Sequence, residues 1–376
     1  MTDLAGSWRL RRIGILLTVI MLSAAGCSSE GDADTSESTP STTVGEEAVE
    51  STTTELSSTA PVTASDADAQ PDSVYPLTGL PVGDRPTLTS AALVVKVGND
   101  DANSRASLIG LEDADIVFEE RIEGSATRFA AVFHSSVPEE IGSVRSGRTS
   151  DIDIVSNLSN PVFVYSGSNQ GVAAQLTTAE DNGFLTRVTA DTTASPFYRH
   201  PSFSAPYNLM VNGPEIVAAS GDDTTPPSPI FDYSNTVADL GSPSAGVTTD
   251  ALFPASFVWS DQDQGYLRFQ DGTPHVTREG ALVLPTNVVV LTTTYVPSQI
   301  DRDSIDARTI GEGPVVVYSN GFRVEGRWTR SVARDPFTFT TPDGDIIGIA
   351  PGQTWVSLAP GGTARELSST QADALR

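Results

Sequence analysis

The sequence predicts an α+β protein: an N-terminal α/β domain built on a mixed sheet, followed by a smaller, β-rich C-terminal domain of barrel or sandwich type. Three observations carry that expectation. From Tyr75 to about residue 220, apolar runs alternate with helix-like stretches. Beyond about residue 250 the chain is nearly all short strands joined by turn dipeptides. The stretch between them is rich in Pro, Ser, Thr and Asp and reads as a connection. The expected organisation is an export signal over 1–26, a stalk over 27–74, the α/β domain over 75–220, a linker over 221–250, the β-rich domain over 251–365 and a tail over 366–376.

The N-terminus carries the sharpest local signal. Arg9, Arg11 and Arg12 precede a 13-residue apolar stretch, Ile13 to Ala25. A membrane span needs about 20 residues, so the stretch fits the apolar core of a secretory signal peptide instead. Ala24-Ala25-Gly26 then lead to Cys27, the only cysteine among 376 residues. This resembles a bacterial lipobox, whose cysteine thiol is lipidated, typically with palmitate, and becomes the new N-terminus. The plain alternative is a secretory signal with a leftover cysteine. With no other cysteine, disulfides and thiolate metal sites are excluded from the rest of the chain.

Ser28 to Val74 holds 11 acidic residues, 19 Ser or Thr, and no Lys, Arg or aromatic residue. So little apolar surface cannot offset the entropy cost of folding. As a flexible coil its ends would sit roughly 40 Å apart, and like charges would extend it further. The expected location is therefore the cell membrane, lipid-anchored on its extracytoplasmic face. The formal charge is −26, a balance that repels phosphate backbones and argues against nucleic acid as a partner.

In the first half, Leu93 to Val97, Asp115 to Ile122, Arg128 to His134 and Pro161 to Tyr165 read as strands, with Phe129, Ala131 and Phe133 on one side of the third. Helices are expected from a cap at Ser150 to about Leu158, with Asp153 as the carboxylate of a capping box, and over Gly171 to Leu176. In the second half, strands are expected at Ser256–Trp259, Tyr266–Phe269, Val288–Thr293, Val315–Tyr318, Arg323–Trp328, Phe337–Thr340, Ile346–Ile349 and Thr354–Leu358. Gln264-Gly265, Asp271-Gly272, Asn320-Gly321 and Asp343-Gly344 are the pairs that hairpins favour.

A series of motifs gives the chain a family likeness. Pro76-Leu77-Thr78-Gly79-Leu80-Pro81, Ala114-Asp115-Ile116-Val117-Phe118-Glu119, Thr127-Arg128-Phe129 and Ile141-Gly142-Ser143-Val144-Arg145-Ser146-Gly147-Arg148 with Asp151 resemble the YerB-like family of bacterial lipoproteins. Gly265-Tyr266-Leu267-Arg268, Gly272-Thr273-Pro274-His275, Gly326-Arg327-Trp328 and Pro351-Gly352-Gln353-Thr354-Trp355 resemble its smaller C-terminal domain. The resemblance implies a two-domain architecture and an envelope location, and no chemistry. The family pattern has Asp-Asn-His after the first strand where this chain has Gly98-Asn99-Asp100, so no role resting on that Asp and His carries over.

The candidate site is the charged stretch from Glu119 to Asp153. Arg145 and Arg148, beside a helix start, form a recipe for holding a carboxylate or phosphate. With Arg128, Glu119 and Asp151 they make the proposed binding set, facing a cell-wall glycan or peptide, or another envelope protein. The plain alternative is that these arginines pair with Glu119, Glu120 or Asp151 as structural ion pairs. His134, oriented by Glu119, is the candidate general base of an alternative cell-wall hydrolase or transferase; a third alternative is a structural assembly partner without a small ligand. No cofactor or metal is expected. His134, His200 and His275 lack zinc-ligand spacing, and Asp343 with Asp345 reads as a hairpin before it reads as a calcium loop. The loop Phe197-Tyr198-Arg199-His200-Pro201, with Pro206-Tyr207-Asn208, either lines a groove or packs on the first domain. Trp328 and Trp355 are expected in the core, or together on the surface as a sugar-stacking platform.

Overall fold

The computed structural model describes residues 73–83, 89–221, 224–249 and 254–376. The expected signal, Cys27 and, apart from Ser73 and Val74, the stalk lie outside the described residues.

The strands of the first half are β1 (Leu93–Asn99), β2 (Ile116–Arg121), β3 (Thr127–Phe133), β4 (Val162–Tyr165) and β5 (Thr186–Thr189). The first four are the apolar runs of the sequence. β5 has only one buried residue of its four, and it sits at the sheet edge. The helices are α1 (Ala102–Ala106), α2 (Thr149–Val155), α3 (Gln170–Asp181) and α4 (Gly213–Ala219). α3 starts because the Asn169 side chain accepts the Val172 N–H at 2.9 Å. α2 departs from expectation. Its N-cap is Arg148, not Ser150, and the carboxylate reaching back is Asp151, not Asp153, accepting the Arg148 N–H at 2.7 Å. Ser150 instead donates to Glu120, and Asp151 meets Lys96, so both side chains are committed inward.

The second half supplies α5 (Val237–Leu240), β6 (Gly246–Thr249), β7 (Ala255–Ser260), β8 (Gly265–Gln270), β9 (Thr273–Pro274), β10 (Asn287–Thr293), β11 (Gly311–Ser319), β12 (Phe322–Arg330), β13 (Thr338–Thr340), β14 (Thr354–Pro360), β15 (Ala364–Glu366) and α6 (Ser369–Leu375). The expected strand Ile346–Ile349 forms no ladder. Ile347 N–H bonds Phe339 O while Ile349 N–H bonds Asp232 O, so consecutive donors turn to different chains. The expected linker is also structured where it is described: Ile230, Phe231 and Val237 are in the core, and β6 pairs with both β7 and β15. The expected tail contains α6, which buries Ala372 against Val258 and Phe269.

The halves share one sheet. An eleven-stranded sheet runs β13-β12-β11-β10-β14-β2-β3-β1-β4-β5, with Ser242–Pro243 added beside β12. Its seam is the parallel pairing of β2 with β14, in which Ile116 lies opposite Thr354 and Glu119 opposite Ser357. A second, antiparallel sheet, β9-β8-β7-β6-β15, packs over one face. Both faces of the large sheet are therefore covered, which is why its central strands read as unbroken apolar runs. On one face Val94, Phe118, Ala130 and Val132 meet Ile154, Leu158, Val172 and Leu176 of the helical layer. On the other, Val95, Val117, Phe129 and Trp355 meet Phe257 and Tyr266 of the small sheet, giving the second half its sandwich-like layering.

The turn dipeptides act as the sequence suggests. Asn320 and Gly321 both have positive φ, 50° and 77°, and join Ser319 directly to Phe322, the geometry of a type I′ hairpin. A Cβ at Gly321 would come within 2.8 Å of the Trp259 ring nitrogen. Gly321→Ala combines backbone strain with that clash, and we expect it to cost more than about 1 kcal/mol, read as a lower urea midpoint at unchanged slope.

Candidate functional site

Glu119 and Glu120 are neighbours on β2, so the strand's alternation sends them to opposite faces. Each is buried, and a buried carboxylate needs a cation or several donors. The structure provides one assembly on each face.

On the helical face lies Lys96 of β1, the only lysine in the chain and fully buried. Its Nζ donates to Glu120 Oε1 and, at 2.6 Å, to Asp151 Oδ1. Ser150 Oγ donates to the other Glu120 oxygen at 2.5 Å. One ammonium thus faces two carboxylates. Burial first, and the Glu120 charge next, push Asp151 up to about 6 against the pull of Lys96.

On the opposite face the partner of Glu119 is Arg268 of β8. Arg268 Nη2 is 3.1 Å from both Glu119 oxygens, while Trp355 Nε1 donates at 3.0 Å and Thr127 Oγ1 at 2.8 Å. The guanidinium lies over the Trp355 ring, 4.5 Å from its centroid, with Phe129 and Phe257 at 5.4 and 5.5 Å. His275 Nδ1 is 2.5 Å from Arg268 Nη1. Sequence reading places Arg268 and His275 only inside family motifs. The signal that could have found them is the demand for two separate cations created by adjacent inward-facing glutamates.

The arginines of the candidate site pair elsewhere than with Glu119, Glu120 or Asp151. Asp100 bridges Arg128 Nε at 3.3 Å and Arg145 Nη2. Arg148 pairs with Glu123. Burial, and then the neighbouring Arg148, lower the pKa of Arg128. Of the proposed binding set, Arg128, Arg145 and Arg148 come together, whereas Glu119 and Asp151 are consumed by the buried assemblies. His134 is not brought to Glu119. Glu119 lies opposite Phe129, and His134 is five residues further along the strand, roughly 15 Å at about 3.3 Å per residue. It is buried there, and burial lowers its pKa.

Arg145 also lines an open cleft of about 420 Å³, with Ser146, Ser166, Asp191, Arg199 and Pro206 among its walls. The aromatic loop therefore does line a groove. Tyr207 sits under the Arg145 guanidinium at 5.5 Å and donates its hydroxyl to Asp101 at 2.6 Å. Arg199 is exposed and held by Asn208 Oδ1 at 2.9 Å. Trp328 and Trp355 are both in the core, which removes the sugar-stacking alternative. Among the described residues no group of three or more His, Cys, Asp or Glu is placed to hold a metal ion.

Two outcomes are expected. Arg268→Met strands the Glu119 charge and should cost about 3–5 kcal/mol of unfolding free energy, part of which returns when Glu119→Gln is added. Asp115, buried at the start of β2 and accepting the Ser135 N–H at 2.8 Å, is pushed up to about 6 by burial. Its folded pKa exceeds the unfolded one, so its contribution is full below about pH 4 and is lost as pH rises through about 6. The stability difference between wild type and Asp115→Asn should therefore change across that window, by about 3 kcal/mol at most, measured by urea unfolding at pH 4 and pH 7.

The comparisons with known proteins agree with this architecture. Residues 77–225 match the family model described as "Protein of unknown function (DUF3048) N-terminal domain", and residues 247–356 match its C-terminal domain. The chain is 27% identical over 330 residues to "Putative lipoprotein YerB" of Bacillus subtilis (strain 168), covering 82% of this chain and 93% of the relative. The crystal structure of the YerB protein from Bacillus subtilis superposes with a TM-score of 0.67 at 25% identity, covering 78% of this chain and 99% of the other. Since both segments match in order and the fold follows, the chain belongs to the DUF3048 family of two-domain proteins.

Proposed function

We propose that this protein is anchored through a lipid on Cys27 to the outer face of the cell membrane, held off it by the acidic stalk, and binds an envelope component in the Arg145 cleft. The likeness to a lipoprotein supports the anchor. The observation that carries the binding reading is the cleft itself. Arg145 and Arg199 face it from separate, fixed positions, and Asp191, Ser146 and Ser166 complete a polar wall. Asp100, Pro206 O and Tyr207 hold the Arg145 side chain in place, which lowers the entropy cost of capture. Arg128 and Arg148 stand behind it as a concentration of positive charge in an otherwise acidic protein. The ligand class that fits is a wall peptide or glycan bearing carboxylates, with amine or hydroxyl groups to meet Asp191 and the serines.

The test is the thermal shift of the full chain with soluble wall-peptide and acidic glycan fragments. At 100 times its dissociation constant a ligand adds about 2.7 kcal/mol of stability. We expect a shift in the wild type that disappears in Arg145→Ala/Arg199→Ala while that variant keeps its unliganded melting temperature within a few degrees. No shift with any fragment, or an equal shift in the double variant, sinks the reading.

A further inference from the structure

His275 carries a second feature that its role beside Arg268 does not use. It follows β9, its N–H donates to Arg268 O at 2.8 Å, and its own carbonyl accepts the Val283 N–H at 3.1 Å, so its backbone is held from both sides. A guanidinium has only N–H donors. The 2.5 Å contact between Arg268 Nη1 and His275 Nδ1 therefore makes Nδ1 the acceptor. Burial, then the Arg268 and Arg105 charges, keep the imidazole neutral, and a neutral ring accepting at Nδ1 carries its proton at Nε2. That Nε2–H is buried and has no hydrogen-bond partner among the described residues. Buried donors in native proteins are nearly always satisfied, so an orphaned one calls for an explanation, a bound group or a functional role among them.

His275 lines a cleft of about 290 Å³ between α1 and the β8–β9 hairpin, separate from the Arg145 cleft. α1 contributes Ala102, Ala106 and the Arg105 guanidinium; the hairpin contributes Pro274, Val276 and His275. One wall therefore comes from each family segment, a common location for ligand sites. One cation and one neutral N–H donor match a single negative charge spread over two oxygens. Asp271 and Asp101 lie close enough to act on Arg105 and offset part of its charge, which weighs against every anion and most against a doubly charged phosphate, and the alanine, proline and valine walls suit a small apolar group next to a singly charged one.

We infer that this cleft is a second ligand site that takes a carboxylate carried on a small apolar group, as at the C-terminus of a peptide ending in a small residue, with Arg105 and His275 Nε2–H as its donors. The site stands independently of the Arg145 cleft, and its ligand would be bound whether or not that cleft is occupied.

The experiment is NMR on the full chain, reading the imidazole nitrogens of His275 and the backbone amides of Thr273 and Val276. The probes are N-acetyl-alanine, its C-terminal amide, and inorganic phosphate. Nε2 should be protonated and Nδ1 not, and N-acetyl-alanine should give saturable shifts that exceed those of the amide and of phosphate. Arg105→Gln should weaken binding about tenfold or more, as loss of a charged hydrogen bond implies. His275→Gln keeps an acceptor for Arg268 and an N–H for the ligand, and should bind within several-fold of wild type; His275→Phe should not bind. A protonated Nδ1, an absence of saturable shifts, an equal response to amide or phosphate, or unchanged affinity in Arg105→Gln each overturns the assignment. If His275→Phe does not fold, the Arg105→Gln and amide arms still decide.

Discussion

The molecule is organised around two adjacent glutamates that a β-strand forces apart. Because Glu119 and Glu120 face opposite sides of a sheet that is covered on both, both are buried, and each is met by a cation delivered from elsewhere in the chain. Lys96 and the start of α2 answer on one face, and Arg268 with its aromatic surround answers on the other. The two responses differ in kind. The lysine is a compact charge shared between two acids, and burial, with the Glu120 charge beside it, pushes Asp151 up to about 6. The arginine is a planar group that pairs with the carboxylate and also stacks on Trp355, and the second use is open only to a guanidinium.

That arrangement decides what is left for binding. With Glu119 and Asp151 drawn into the interior, the guanidiniums of Arg128, Arg145 and Arg148 pair, among the described residues, with Asp100 and Glu123. Asp100 bridges two of those arginines and so anchors the cationic wall. The loop carrying Arg199 and Tyr207 then closes over it, so the cleft is assembled from parts far apart in sequence but fixed to the same end of β1.

Much of the fold was legible because the central strands are apolar on both faces and the hairpins use dipeptides that only one turn geometry accommodates well. Leu93 to Val97 and Asn320-Gly321 are the plainest cases. What the sequence could not supply was pairing across distance. Nothing near Glu119 announces Arg268, and nothing in the Pro- and Ser-rich stretch before β6 announces that Phe231 belongs to the core. The candidate site was legible as a concentration of arginines, because charge in a strand-rich region stands out. Its partition was not: whether an arginine meets Asp100 or Glu119 depends on which face a residue occupies once β1, β2 and β3 are in register. For the same reason His134, linked to Glu119 by chemistry alone, proved to sit at the far end of its strand.

The seam between β2 and β14 has a consequence for how the molecule comes into being. The strand that covers one edge of β2 lies almost at the end of the chain, with Ile116 paired to Thr354. Until that last segment has emerged from the machinery making or moving the polypeptide, β2 presents a bare row of amides and carbonyls, and Glu119 waits beside an unfinished Trp355 pocket. Such an exposed edge is sticky, and a fold whose central closure joins distant segments forms slowly. Maturation should therefore be a late, whole-chain event: truncation anywhere before residue 354 would remove a central strand of the shared sheet rather than trim a dispensable end, and the N-terminal segment would spend its early life as an intermediate in need of protection.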